Sequence, residues 1–201
     1  MYCLWFKTIK EMKKYQIIYA DPPWKYQLFS DKPPCSRKAD EDYYEVMDLL
    51  DMAQLPIKDI SDDNSVLFMW ATFPAMQTAI KLMRSWGFHY RTVAFVWVKK
   101  NKNVDSNFMG MGGWTRSNAE VCLLGVKGLP KRISKSVRQI IEAQVIEAKI
   151  GEHSVKPPET REKILELMGD LPRLELFARQ KTEGWDVWGN EVESDIILTS
   201  I

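Results

Sequence analysis

The chain has 201 residues, 45% of them hydrophobic and 27% charged, the make-up of one soluble globular domain able to bury about 70% of its unfolded surface. Lys and Arg number 28 against 27 Asp and Glu, for a net charge of +1, which excludes a uniformly basic coat and leaves only local basic patches as routes to a polyanion. No apolar run approaches the roughly 18 residues of a membrane span, and Cys3, Cys35 and Cys122 are odd in number, far apart and without metal-ligand spacing; the expectation is a reduced, cytoplasmic protein with no metal and no membrane partner.

The first 16 residues, MYCLWFKTIKEMKKYQ, have neither a long apolar core nor a small-residue cleavage site, so they do not read as a signal peptide. A strand is expected over Gln16–Ala20, ending at once in Asp21-Pro22-Pro23-Trp24. Residues 25–40 form a polar, proline-bearing loop, and Asp42–Met52 is a weak helix. Val66–Trp70 is a second strand. Pro74–Trp86 carries Met76, Ala79, Ile80 and Met83 at helical spacing, with Gly87 as its stop. Strands follow at Thr92–Val98 and Ala119–Val126, separated by the Gly-, Asn- and Lys-rich loop 99–116. Lys127–Lys135 is basic, and Gln139–Lys149 fits strand or helix equally. A helix over Pro158–Met168 has proline at its entry and Gly169 past its end; the last strand is Arg173–Ala178. The strands are continuous apolar blocks, as in strands buried on both faces. Their alternation with helices defines an α/β fold with a mostly parallel central sheet and helices on both faces, read as a single domain over 1–201.

In open α/β sheets, chemistry sits just past the carboxyl ends of strands, which is where Asp21 falls. Pro22 and Pro23 fix φ at two successive residues and remove two N–H donors. The corner therefore offers acceptors, the Asp21 carboxylate and the Pro22 carbonyl, and almost no donors. Such a corner suits an amino group on a planar base: one hydrogen goes to each acceptor, and Trp24 lies against the ring, a stacking contact worth about 1–3 kcal/mol. The competing reading of an isolated D-P-P is a strand-ending turn with a helix-capping Asp.

DPPW in this setting resembles the S-adenosylmethionine-dependent amino-methyltransferases, and within them the family of the catalytic subunit of mRNA adenosine N6-methyltransferase, in its short bacterial and phage branch. The resemblance covers nearly the whole chain. It includes LPIKDI from Leu55, LFMW from Leu67, WGF from Trp86, VWVK from Val96, GGWTRSNAE from Gly112 and LLGVKG from Leu123. It continues through HSVKPPE from His153, LELFAR from Leu174 and GWDVWGNE from Gly184. It implies a Rossmann-like methyltransferase fold in circularly permuted order, catalytic turn first and cofactor strand last. GMGG at Gly110 follows a loop rather than a strand and reads as a hinge.

The resemblance implies S-adenosylmethionine as cofactor. Lys156 and Arg179 would supply positive charge, Glu175, Asn190 and Glu191 contacts toward the ribose and adenosine end, Phe177 an aromatic wall, and Asp21 would face the cofactor's ammonium. Two departures stand out: Lys181 and Thr182 replace the family's His and Asn, and Glu191 replaces its Gln. Taken alone, Lys156 also fits a solvated lysine before a helix, and His153 is given no catalytic role. The implied reaction is methyl transfer to the exocyclic N6 of adenine in nucleic acid, with Asp21, Pro22, Pro23 and Trp24 catalytic. Trp24, Tyr26, Trp114, Arg116 and Glu120 would hold the substrate base. Lys99, Lys100, Lys102, Arg116, Lys127, Lys131, Arg132 and Lys135 are candidates for phosphate contacts, and loops 25–40 and 99–116 for the lips of the pocket. DNA is favoured over RNA; a non-catalytic nucleic-acid-binding partner of the same fold is the alternative from another class. Oligomeric state is open, with a homodimer among the family's forms.

Overall fold

The computed structural model describes residues 13–24, 47–102, 104–110, 114–145 and 155–198. The apolar run of the N-terminal third becomes β1 (Tyr15–Ala20), and the elements after it are α1 (Leu49–Gln54), α2 (Ile57–Ile60), β2 (Ser61–Ala71), α3 (Met76–Ser85), β3 (His89–Lys100), β4 (Ala119–Lys127), β5 (Ile140–Gln144), α4 (Glu159–Met168), β6 (Arg173–Leu176) and β7 (Asp186–Trp188). Among the described residues the strands form one seven-stranded sheet in the order β5-β3-β4-β2-β1-β6-β7. The β2, β1, β6 and β7 pairings are parallel, β3 and β5 pair parallel, and β4 runs antiparallel between β2 and β3. The mostly parallel α/β sheet expected from the sequence is therefore present.

Alternation along the central strands divides the core in two. Ile18, Ala20, Leu67, Met69, Val121 and Leu123 pack on one face against Met52 of α1, Ile57 and Ile60 of α2, and Ala79, Leu82 and Met83 of α3. Ile17, Tyr19, Val66, Phe68, Trp70, Trp97 and Cys122 pack on the other against Ile164 and Met168 of α4. With both faces covered, β1 and β2 need apolar residues at every position, which is why they read as unbroken runs. The α3 helix ends where Gly87 takes φ +85, and Gly87 and Phe88 donate their N–H groups to the Arg84 and Met83 carbonyls, a left-handed cap that only glycine adopts without strain. Gly125 on β4 lets α3 lie close, since a Cβ there would sit 2.5 Å from Met83 Sδ.

Several elements differ from the sequence expectation: β2 and β3 are longer, Ser61–Ala71 and His89–Lys100, so Lys99 and Lys100 belong to β3 rather than to the loop. The ambiguous segment at 139–149 is strand over Ile140–Gln144; Ile141 is buried and the segment pairs with β3. Within the described residues the helix expected at Asp42–Met52 is α1, beginning at Leu49. The four-residue α2 and three-residue β7 were not anticipated, being too short to show a period. No helix among the described residues is long and apolar enough to cross a membrane.

Candidate active site

From β1 the chain moves to one side, to β2; from β6, on the other flank of β1, it moves outward to β7. The crevice beyond the carboxyl ends of β1 and β6 is thus a topological switch point, the place where open parallel sheets bind ligands. Asp21 is the first residue past β1 and is half-buried; Pro22 is buried. The turn is tight: the Trp24 N–H donates to the Pro22 carbonyl at 2.9 Å, which leaves that oxygen one lone pair. Trp24 is not a free-standing platform. Its indole N–H donates to the Trp70 carbonyl at 3.0 Å, and the half-buried ring packs on the core face of α1 and α3.

Four side chains from four parts of the chain meet at this corner as an alternating chain of charge. Lys156 Nζ lies 2.8 Å from Asp21 Oδ2 and 3.4 Å from Glu120 Oε2, and Lys99 Nζ lies 2.5 Å from Glu120 Oε1. Lys156 comes from the segment before α4, Glu120 from the start of β4 and Lys99 from the end of β3. Aromatic rings line the cluster. The Lys99 ammonium lies 5.0 Å from the Trp97 ring centroid and that of Lys156 5.8 Å from Trp70's, while the Trp70 indole N–H donates to Tyr19 Oη at 2.7 Å. Burial pushes the Glu120 carboxyl up, but the Lys156 and Lys99 ammonium groups outweigh it and hold the group below the usual carboxylate range. Burial pulls the Lys156 ammonium down, and the Asp21 and Glu120 carboxylates more than offset this, raising it above the usual lysine value. Burial pushes the Cys122 thiol up, so it is no thiolate nucleophile.

Glu175, beside Tyr19 in the β1–β6 register, is bound differently. Arg161 of α4 grips both its oxygens, Nε to Oε2 at 2.8 Å and Nη2 to Oε1 at 2.6 Å, and Glu175 is 7% exposed. In this arrangement it braces α4 against β6, with one Arg161 donor on each carboxylate oxygen. Just past β6, Phe177 has φ 60, a left-handed conformation that costs a non-glycine residue about 1–2 kcal/mol. Its ring meets Trp188 edge-on at 5.5 Å. Gly189 allows the ends of β6 and β7 to touch, since a Cβ there would lie 2.0 Å from the Ala178 carbonyl oxygen. That approach brings Arg179 Nε to 3.7 Å from Glu191 Oε1, with Asn190 exposed beside them.

Of the substrate-side candidates, the structure brings Glu120 to Asp21 through Lys156. Trp114 (99% exposed) and the exposed Arg116 stand on the β3–β4 connection, at the same end of the sheet as Asp21. Tyr26, His153 and loop 25–40 lie outside the described residues. One expectation is corrected. Lys127, Lys131, Arg132 and Lys135 do not cluster with the catalytic turn. Lys127 pairs with Ser65 and donates to the Lys58 and Ser61 carbonyls, and Ile133 N–H donates to the Leu167 carbonyl. All of this is at the amino ends of the parallel strands, because β4 is antiparallel and carries its C-terminus away from the site. Lys99, a phosphate-contact candidate, pairs with Glu120 in this structure. Arg161 was not anticipated; nothing marks it in the sequence apart from its place on a helix.

The residues at the switch point fit a zwitterionic, ribose-bearing cofactor. Both signs of charge are present, Lys156 and Arg179 against Asp21 and Glu191, with the amide of Asn190 beside them. Sheet, switch point and acceptor-lined turn together define a Rossmann-like methyltransferase domain in permuted order. The family model MT-A70 matches residues 15–191, and the chain belongs to that family, whose methyl donor is S-adenosylmethionine. It is 37% identical to the type II methyltransferase M.MunI of Mycoplasma sp over 201 residues, 92% of this chain and 81% of that protein. It is 30% identical to the N(6)-adenosine-methyltransferase MT-A70-like of Arabidopsis thaliana, covering 88% of this chain and 23% of that one. With the human N(6)-adenosine-methyltransferase catalytic subunit METTL3 it shares 29% identity over 96% of this chain and 31% of the other. The chain thus spans most of the bacterial relative and about a quarter to a third of the two eukaryotic ones.

Proposed function

We propose that the protein methylates the exocyclic N6 of adenine in DNA. The observation that supports it most is the Asp21 corner. Lys156 holds Oδ2, Oδ1 has no partner among the described residues, and the adjacent Pro22 carbonyl keeps one lone pair. Two acceptors take the two amino hydrogens and draw them out of the ring plane, so that the nitrogen lone pair localises. S-adenosylmethionine would supply an electrophilic methyl group and leave as the neutral thioether, while the amino nitrogen gives up one of its protons to the Asp21 carboxylate or to water. The protein's part is orientation, which can lower a barrier by as much as about 7–11 kcal/mol when the reacting atoms are held near attack distance. Glu120, ionised by its two lysines, reads the base; Arg179, Asn190 and Glu191 hold the cofactor, with Phe177 as wall.

Adenine inside a duplex is out of reach, so the base is flipped or already unpaired. Trp24, Tyr26, Trp114 and Arg116 then border it, with loops 25–40 and 99–116 of the single 1–201 domain as lips. The likeness to a type II methyltransferase over most of both chains favours DNA; the likeness to N(6)-adenosine-methyltransferases keeps RNA as the second reading. Incubation with methyl-labelled cofactor and separate DNA, RNA and nucleoside pools, followed by digestion, tests this. N6-methyladenine from the DNA pool is the expected product. Label on another base, or on none, overturns the reading; sedimentation of the same sample distinguishes monomer from homodimer.

A further inference from the structure

We propose that Lys99 is a positioning residue for methyl transfer: by neutralising Glu120 it leaves the Lys156 ammonium to hold the Asp21 carboxylate. The inference deepens the adenine-methylation reading and rests on it. The four charges stand in the order Asp21, Lys156, Glu120, Lys99, separated by 2.8, 3.4 and 2.5 Å. Their side chains are 30%, 12%, 12% and 16% exposed, so water screens none of them fully. Lys156 is shared between two carboxylates and sits nearer Asp21. It is free to do so because Glu120 already has a cation on its other oxygen. Without Lys99, Glu120 either draws Lys156 to itself or takes up a proton, and both changes alter how Asp21 is held.

The Lys99 side chain is drawn into the cluster rather than out toward solvent, at 16% exposure. Its ammonium is on Glu120 and its side chain lies over Trp97. The neighbouring Lys100 reaches the other way, toward Glu142 of the edge strand at 3.8 Å, and serves as an internal control. The groups facing Glu120 are Lys99 from β3, Lys156 from the segment before α4, Asp21 beyond it at the end of β1, and the Cys122 thiol two residues along β4. Among the described residues only the two lysines bring positive charge to it.

The test compares wild type with Lys99→Met, Lys99→Arg and Lys100→Met, with Lys99→Gln as a second neutral variant should Lys99→Met fold poorly. The Glu120 carboxyl is titrated in the free protein by carbon-13 NMR, assigned against Glu120→Gln. In Lys99→Met it should titrate higher by about one pH unit or more, since an opposite charge in contact moves a carboxyl by that much. The acid limb of kcat should move up with it. At neutral pH kcat should fall on the order of tenfold; Lys99→Arg should restore both profiles. Lys100→Met should leave the Glu120 titration and the acid limb in place. An unchanged Glu120 titration in Lys99→Met, or an unchanged kcat, overturns the proposal. If the wild type transfers no methyl group to adenine, the functional reading falls on that result alone, because the titration needs no substrate.

Discussion

Two buried ion clusters stand on the same face of the sheet, and they differ in what they leave open. Arg161 and Glu175 are closed on each other: both carboxylate oxygens are taken, and the side chains are 16% and 9% exposed. Asp21, Lys156, Glu120 and Lys99 form a longer chain whose terminal carboxylate is 30% exposed and, among the described residues, binds protein through one oxygen. A saturated pair fixes the angle between helix and strand. An unsaturated one has an acceptor to spare. The difference follows from place. Glu175 lies inside β6, beside Tyr19, where neighbours surround it; Asp21 lies one residue beyond β1, where the sheet ends and the prolines withdraw the backbone donors.

Replacing a member of each cluster should separate the two roles. The largest effect is expected from Asp21→Ala, which should lower kcat by about 10²–10³-fold or more, the scale set by losing one preorganised partner of the reacting group. Its circular dichroism spectrum and melting cooperativity should stay native, because Lys156 keeps Glu120 as a partner. Arg161→Met should do the reverse. It leaves Glu175 buried and unpaired, at a cost of about 3–5 kcal/mol read from urea denaturation, with kcat per folded molecule near wild type. Arg161→Met combined with Glu175→Leu should recover most of that loss; no recovery would show that the pair does more than brace α4.

A smaller effect concerns acid. Glu120 is held below its ordinary value of 4.5, so its contribution to stability is complete above that value and lost as pH falls through the lower folded one. The pH dependence of unfolding free energy below about pH 4.5 should therefore be shallower in Glu120→Gln than in wild type. The smallest effect is at the edge of the turn. Trp24→Phe removes one hydrogen bond, worth about 1 kcal/mol, and should lower Tm by about 2–4 °C. A drop in base affinity with no change in Tm would assign Trp24 to stacking on the base rather than to bracing the turn.

The strands that carry the site were legible because they are apolar on both sides and end in abrupt chemistry; Asp21 follows Ala20 without a spacer, and no other part of the chain joins an acid to two prolines and an indole. The partner of Asp21 was not legible. Lys156 is 135 residues away, and only the family likeness singled it out from other lysines. The pairing of Arg161 with Glu175 leaves no local trace either, since a helix surface carries arginines for many reasons. The basic stretch 127–135 misled because charge in sequence does not say at which end of a sheet it will stand. One antiparallel strand decided that.

The same strand has an evolutionary consequence. Because β4 runs against its neighbours, the excursion from Lys100 to Ala119 leaves and rejoins the sheet at the catalytic end, stapled at its base by Phe108 N–H to the Lys99 carbonyl and Gly110 N–H to the Ser117 carbonyl. Descendants of this gene could lengthen, recharge or replace the tip of that excursion to meet new nucleic-acid shapes while the ladder beneath keeps Glu120 in register.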